Sequence, residues 1–318
     1  MDIPAQNNHL FELARLSKRS FSPRFDKIYP ALSLFYALVA PLVTSAIVSI
    51  PLAVYFILSG NGQLDATKIL SSNLGFTILL LLGFGPIFIL IWAWLWLFER
   101  RPIWTIGMER KGWLLKYLRG ALLGIFMIAT AVGLSMAFGF VSLEGSGIEI
   151  GVALSGSMLL LVGWIVQGAA EEALFRGFLL PILGSRYGVV TGVLTSSALF
   201  ALLHIFNANL SLLAVLNLML FGMFAAFYAL KEGGLWGVFA VHSLWNWAQG
   251  NLFGMEVSGL PVQLDAIFKL KEAGPDWFTG GAFGPEGGIA VTIVLLAGMI
   301  ALWVPRRGHG LETSGAEE

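Results

Sequence analysis

The sequence predicts an all-α polytopic membrane protein of about eight transmembrane helices, with a polar catalytic cavity open to the cytoplasmic side. Composition is the first reason. Of 318 residues, 57% are hydrophobic and 12% charged, against about 25% charged in an ordinary soluble domain. The second is the recurrence of apolar runs of at least ~18 residues, long enough to cross a bilayer. The third is the distribution of Lys and Arg, which sorts the connecting segments into two classes. The formal net charge is zero, and the absence of cysteine excludes thiolate metal sites, disulfides and cysteine nucleophiles. No basic patch suited to nucleic acid occurs, nor a phosphate-cradling glycine loop or an internal repeat.

The chain divides into a cytoplasmic N-terminal segment (1–28), membrane helices one to three (29–150), a core of helices four to seven (151–253), an extracytoplasmic loop (254–286), and a last helix with its tail (287–318). The apolar spans fall at about 30–58, 73–98, 120–141, 152–180, 188–206, 210–230, 234–253 and 287–304. Pro41 and Pro51 kink the first span without forbidding it. The opening 28 residues lack a short apolar core and a small-residue cleavage site, so no removable signal peptide is expected. Residues 10–16 and 112–119 mix apolar, aromatic and basic side chains as surface-lying helices do, or as basic flanks of the next span would. Gly120/Gly124 and Gly188/Gly192 have the spacing that lets membrane helices approach closely.

With the N-terminus inside, Arg15, Lys18, Arg19, Arg24, Lys27, Arg100, Arg101, Arg110, Lys111, Lys116, Arg119, Arg186, Lys231, Arg306 and Arg307 are cytoplasmic, with Arg176 near that side. Lys68, Lys269 and Lys271 are outside. That is 16 against 3 of the 19 Lys and Arg. The positive-inside rule then places both termini in the cytoplasm of a multi-pass cell-membrane protein.

Three polar islands interrupt the spans. Glu171-Glu172-x-x-x-Arg176 lies in the fourth, Phe200-x-x-x-His204 in the fifth, and His242-x-x-x-Asn246 in the seventh. Ionised groups at mid-bilayer cost roughly 2.5–3.5 kcal/mol each on insertion scales, so they ask for a function. A helical hairpin turning at Gly184–Gly188 puts Glu171 and His204 roughly 20–24 Å from one end. His242 and Asn246 lie roughly 12–18 Å from the turn at Glu232–Gly234. Helix tilt closes the difference, and the islands meet in one layer, expected to open toward the cytoplasm. Spacing of four puts His242 and Asn246 on one face and favours a Glu172–Arg176 ion pair, leaving Glu171 the freer carboxylate. A sequestered carboxylate beside a histidine suits activation of water, and a second histidine with a carboxamide suits an oxyanion. Gln167 and Asn217 read as interhelical glue, and Phe200 and Trp245 as packing around the site.

Taken in order, EExxxR, FxxxH and HxxxN, each on its own helix, resemble the CPBP superfamily of intramembrane peptidases. That group includes the type II CAAX prenyl endopeptidases and the bacteriocin-processing and self-immunity (Abi) proteins. The resemblance covers roughly 152–250. It implies that Glu171 is the catalytic glutamate, acting with His204 on water, that His242 and Asn246 form an oxyanion hole, and that Glu172 and Arg176 orient the site. It also implies a protein or peptide substrate, lipidated in the prenyl branch, reached within membrane lipid. No cofactor is obligatory on this reading. Zinc held by Glu171, His204 and His242 is the metal alternative, although the H-E-x-x-H spacing is absent. Two non-enzymatic readings stay open: a catalytically silent scaffold or regulator of a partner protein, and a proton-coupled transporter.

Overall fold

A computed structural model describes residues 8–17, 22–58, 72–145, 148–261 and 264–303. Lys18, Arg19, Lys68, Arg306 and Arg307, used in the charge count, lie outside the described residues. Among the described residues the fold is all-α apart from one short two-stranded sheet.

A short helix α1 (His9–Arg15) precedes α2 (Pro23–Leu58), α3 (Asn73–Trp94, extended by a π turn Leu95–Glu99) and α4 (Trp113–Ala137). Helix α5 (Ile150–Glu172) runs through a π turn (Ala173–Leu179) into α6 (Leu180–Tyr187). Then come α7 (Val189–Leu203), α8 (Leu212–Glu232) and α9 (Trp236–Trp247, with a π turn Ala248–Leu252). A short α10 (Asp276–Thr279) and α11 (Ile289–Trp303) complete the chain. Among the described residues, five segments are long and apolar enough to cross a membrane: Pro23–Pro51, Asn73–Glu99, Trp113–Ala137, Ile150–Tyr187 and Leu212–Glu232. Helices α7 and α11 are shorter apolar helices of 15 residues each. Each span expected from the sequence overlaps a helix, but α7 stops at Leu203 rather than running on to 206.

Local chemistry sets these limits. The Ser72 hydroxyl accepts from the Gly75 N–H and caps α3, and Ser211 caps α8 through Ala214 N–H. Gly188, at φ 91°, ends α6 and turns the chain into α7. It is a turn residue, while Gly192 alone of that pair packs closely, against the Gly184 backbone. The Gly120/Gly124 expectation holds more strongly. A Cβ on Gly124 would stand 2.3 Å from the Val241 carbonyl oxygen, and one on Gly120 2.0 Å from that of Gly237. Helix α9 is thus pressed onto the α4 backbone on one side and onto α5 on the other.

The helix ends define two ends of the bundle. At one gather α1, the 100–112 connection, the α6–α7 and α8–α9 turns, and the end of α11, where Lys231 Nζ donates to the Leu302 carbonyl. This end is filled: Leu10 and Phe11 of α1, Ile106 and Leu235 are all buried, and Phe11 lies under Gly184. Residues 10–16 are therefore a plug rather than a free surface helix. Residues 112–119, by contrast, expose Trp113, Leu114, Leu115 and Leu118. At the opposite end lie the 204–211 connection, residues 253–261 and 264–288, and a two-stranded antiparallel sheet of β1 (Val141–Leu143) with β2 (Leu270–Glu272), paired Val141 to Glu272 and Leu143 to Leu270. The lateral surface is apolar, with Phe35, Ile89, Leu122, Phe126 and Ile300 more than 60% exposed. A lipid environment accounts for that, since water penalises contiguous apolar surface.

Candidate active site

The site grows from the contact of α5 with α9. Gly168 makes it possible, because a Cβ there would meet the Ser243 backbone nitrogen at 2.7 Å. The helices run antiparallel, so residues four apart on each face one another in rungs. In one rung Asn246 Nδ2 donates to Gln167 Oε1 at 2.9 Å. In the next, His242 Nε2 stands 3.7 Å from Glu171 Oε2. Gln167, read from sequence as interhelical glue, does join the two helices, and it does so through Asn246. Its place four residues before Glu171 is the signal that would have revealed it.

Glu172 points to the other side of His242. Its Oε1 accepts from His242 Nδ1 at 2.8 Å and from Arg176 Nη1 at 3.0 Å. The expected i,i+4 ion pair is present and wholly buried. Arg176 also lies over the Phe200 ring, 4.8 Å from its centroid, a cation–π contact. Phe200 in turn holds His204, whose Nδ1 donates to the Phe200 carbonyl at 2.8 Å. A carbonyl only accepts, so the proton sits on Nδ1 and Nε2 is the acceptor nitrogen of His204. The rings of Phe200 and Phe221 stand edge-on to His242, with centroids 5.9 and 4.9 Å away.

The sequence expectation of one polar layer is met: Glu171, His204, His242 and Asn246 line one cavity of about 280 Å3, while Glu172 and Arg176 are buried behind it. Two particulars differ. The near neighbour of Glu171 is His242; among the described residues no carboxylate lies within 4 Å of His204. The open side also differs. The walls run from mid-helix residues to Asn207, Val257, Ser258, Leu260 and Glu286, all at the end opposite the termini. Because α7 is only 15 residues long, His204 caps its C-terminus close to that opposite end. No lining residue comes from the connections at the end that holds α1, whereas the sequence reading expected the cavity to open there.

The loop contributes buried polar groups invisible to span-by-span reading. Glu286 accepts from Gln249 Nε2 and from Ser258 Oγ at 3.1 Å, and burial pushes its carboxyl above the usual range. Asn207 Nδ2 donates to the Ser258 carbonyl at 2.8 Å. A further buried pair, Glu99 with Arg101, sits at the plugged end, where Glu99 also accepts from Tyr29 Oη. The sequence reading counted Arg101 among the cytoplasmic residues and did not single out Glu99.

For zinc, the geometry does not assemble Glu171, His204 and His242 as ligands. Among the described residues no group of three His, Asp or Glu side chains converges on a metal position. His242 Nδ1 is engaged by Glu172 and His204 Nδ1 by the Phe200 carbonyl.

Comparison with curated proteins and with solved structures gave no match. Residues 153–248 match the family model described as Type II CAAX prenyl endopeptidase Rce1-like. That segment carries all three motifs, and the match supports the resemblance to the CPBP superfamily.

Proposed function

We propose that the protein is an intramembrane endopeptidase that hydrolyses a peptide bond with water activated at Glu171. The class, an intramembrane CAAX-type protease, is what the Rce1-like match supports. The observation that carries the mechanism is the placement of Glu171: it lines the cavity, its Oε2 is engaged by no protein donor, and that oxygen stands 3.7 Å from His242 Nε2.

Water attacks the scissile carbonyl carbon while Glu171 takes its proton. The C–O bond forms and the carbonyl π pair moves to oxygen. Asn246 has one N–H committed to Gln167 and a second free to donate to that oxyanion, beside His242. Collapse of the tetrahedral species breaks the C–N bond, and the proton held at Glu171 passes to the leaving nitrogen. His204 Nε2 lines the same cavity as an acceptor that can orient the attacking water. Glu172 and Arg176 hold His242 and touch no reacting atom.

The test is Glu171→Gln, which keeps shape and removes the base. We expect cleavage of membrane-anchored peptides in cells to fall by at least ~10²-fold with the protein still accumulating in the membrane. Wild-type peptide turnover in that variant would sink the peptidase reading and favour a scaffold role.

A further inference from the structure

Charge and cavity shape point to opposite ends of the bundle. At the plugged end lie Arg15, Arg24, Lys27, Arg100, Arg101, Arg110, Lys111, Lys116, Arg119, Arg186 and Lys231; at the open end the described Lys and Arg are Lys269 and Lys271 alone. No lining residue of the cavity belongs to the connections at the plugged end. The positive-inside rule makes the basic end cytoplasmic. The mouth therefore faces away from the cytoplasm.

The walls also say what kind of chain would enter. Pro41 and Thr44 of α2 and Leu80 and Phe84 of α3 line the cavity together with Leu42, which is 59% exposed on the outer surface. Helix α2 packs on α3 and α6 but makes little contact with α7 or α8, so the cavity meets the lipid-facing surface along α2. At the rim Phe206 is 92% exposed and Leu212 88%, in the connection that Asn207 ties to Ser258. Apolar rim, apolar side wall and polar floor suit a polypeptide whose apolar segment stays in lipid while its backbone reaches the rungs.

We propose that this site cleaves membrane-anchored polypeptides that present their scissile bond from the extracytoplasmic side, entering past α2 and the 204–211 connection. This rests on the peptidase reading above. A lipidated cytoplasmic C-terminus, the substrate that the family resemblance implies, would arrive at the end closed by Phe11, Ile106 and Leu235.

The absence of native cysteine permits a direct test. Single-cysteine variants Leu260→Cys and Phe206→Cys at the mouth, and Lys111→Cys at the plugged end, would be exposed to a charged, membrane-impermeant maleimide. Intact cells and inside-out vesicles would be compared, with membrane levels measured to show that each variant folds. We expect both mouth positions to label in intact cells and Lys111→Cys to label only in vesicles. A bulky form of the same reagent, added outside, should stop peptide cleavage in Leu260→Cys cells and spare it in Lys111→Cys cells. Labelling of the mouth positions only in vesicles would overturn the access proposal while leaving Glu171 chemistry intact. The two failures separate, because labelling is read without activity and Glu171→Gln is read without labelling.

Discussion

One carboxylate oxygen of Glu172 binds both His242 Nδ1, at 2.8 Å, and Arg176 Nη1, at 3.0 Å. The imidazole is thereby fixed at one nitrogen by a group that is itself fixed by a buried cation, and its other nitrogen is turned to Glu171. The order Arg176, Glu172, His242, Glu171 is a chain of orientation running from the buried wall to the cavity.

Removing the first link should therefore act at a distance. Arg176→Ala strands Glu172 without its cation, and breaking a buried pair by removing one partner costs about 3–5 kcal/mol. Lower membrane accumulation and a lower melting temperature in detergent are expected, with peptide turnover lost as well. Normal stability in this variant would mean that Glu172 finds another partner.

The rung of Asn246 and Gln167 makes a finer prediction. Asn246→Ala removes the oxyanion donor and should cost about 10²–10³ in rate. Gln167→Ala leaves that donor in place but unheld, so a smaller loss in kcat is expected, with KM little changed. Equal losses in the two variants would make Gln167 more than a positioning residue.

Packing of α9 on α4 can be probed away from the chemistry. Gly124→Val places a branched side chain against the Val241 carbonyl, where a Cβ alone comes within 2.3 Å. Overpacking of this kind costs about 1–3 kcal/mol. Because α9 carries His242 and Asn246, thermal stability and activity should fall together in a purified sample.

The two-stranded sheet at the open end should respond to pH. Burial, then the nearby Glu256 and Asp276, push Glu272 on β2 up to about 7, against a partial offset from a Thr279 hydrogen bond. A carboxyl with a raised folded pKa contributes stability that is complete below its ordinary value near 4.5 and is lost as pH rises through about 7. Compared with Glu272→Gln at each pH, amide exchange in 141–143 and 270–272 should be similar at pH 5 and faster in the wild type at pH 8. Identical exchange at both pH values would remove Glu272 from the account.

Apolar run length decided the all-α architecture and the positions of its helices, because a bilayer requires long apolar segments whose backbone bonds are satisfied internally. Spacing of four exposed the Glu172–Arg176 pair and the shared face of His242 and Asn246, since that period is a property of the helix itself. Tertiary structure decided what lies between helices. It chose Gln167 as the partner of Asn246, gave Glu171 to His242 rather than His204, and brought Glu286 and Ser258 from a distant loop to the cavity wall. It also set the open side, because that depends on where α7 ends and on what Phe11 and Leu235 fill. Periodicity reports which residues share a face of one helix; which face meets which, and which end is stoppered, follows from close packing of many segments at once.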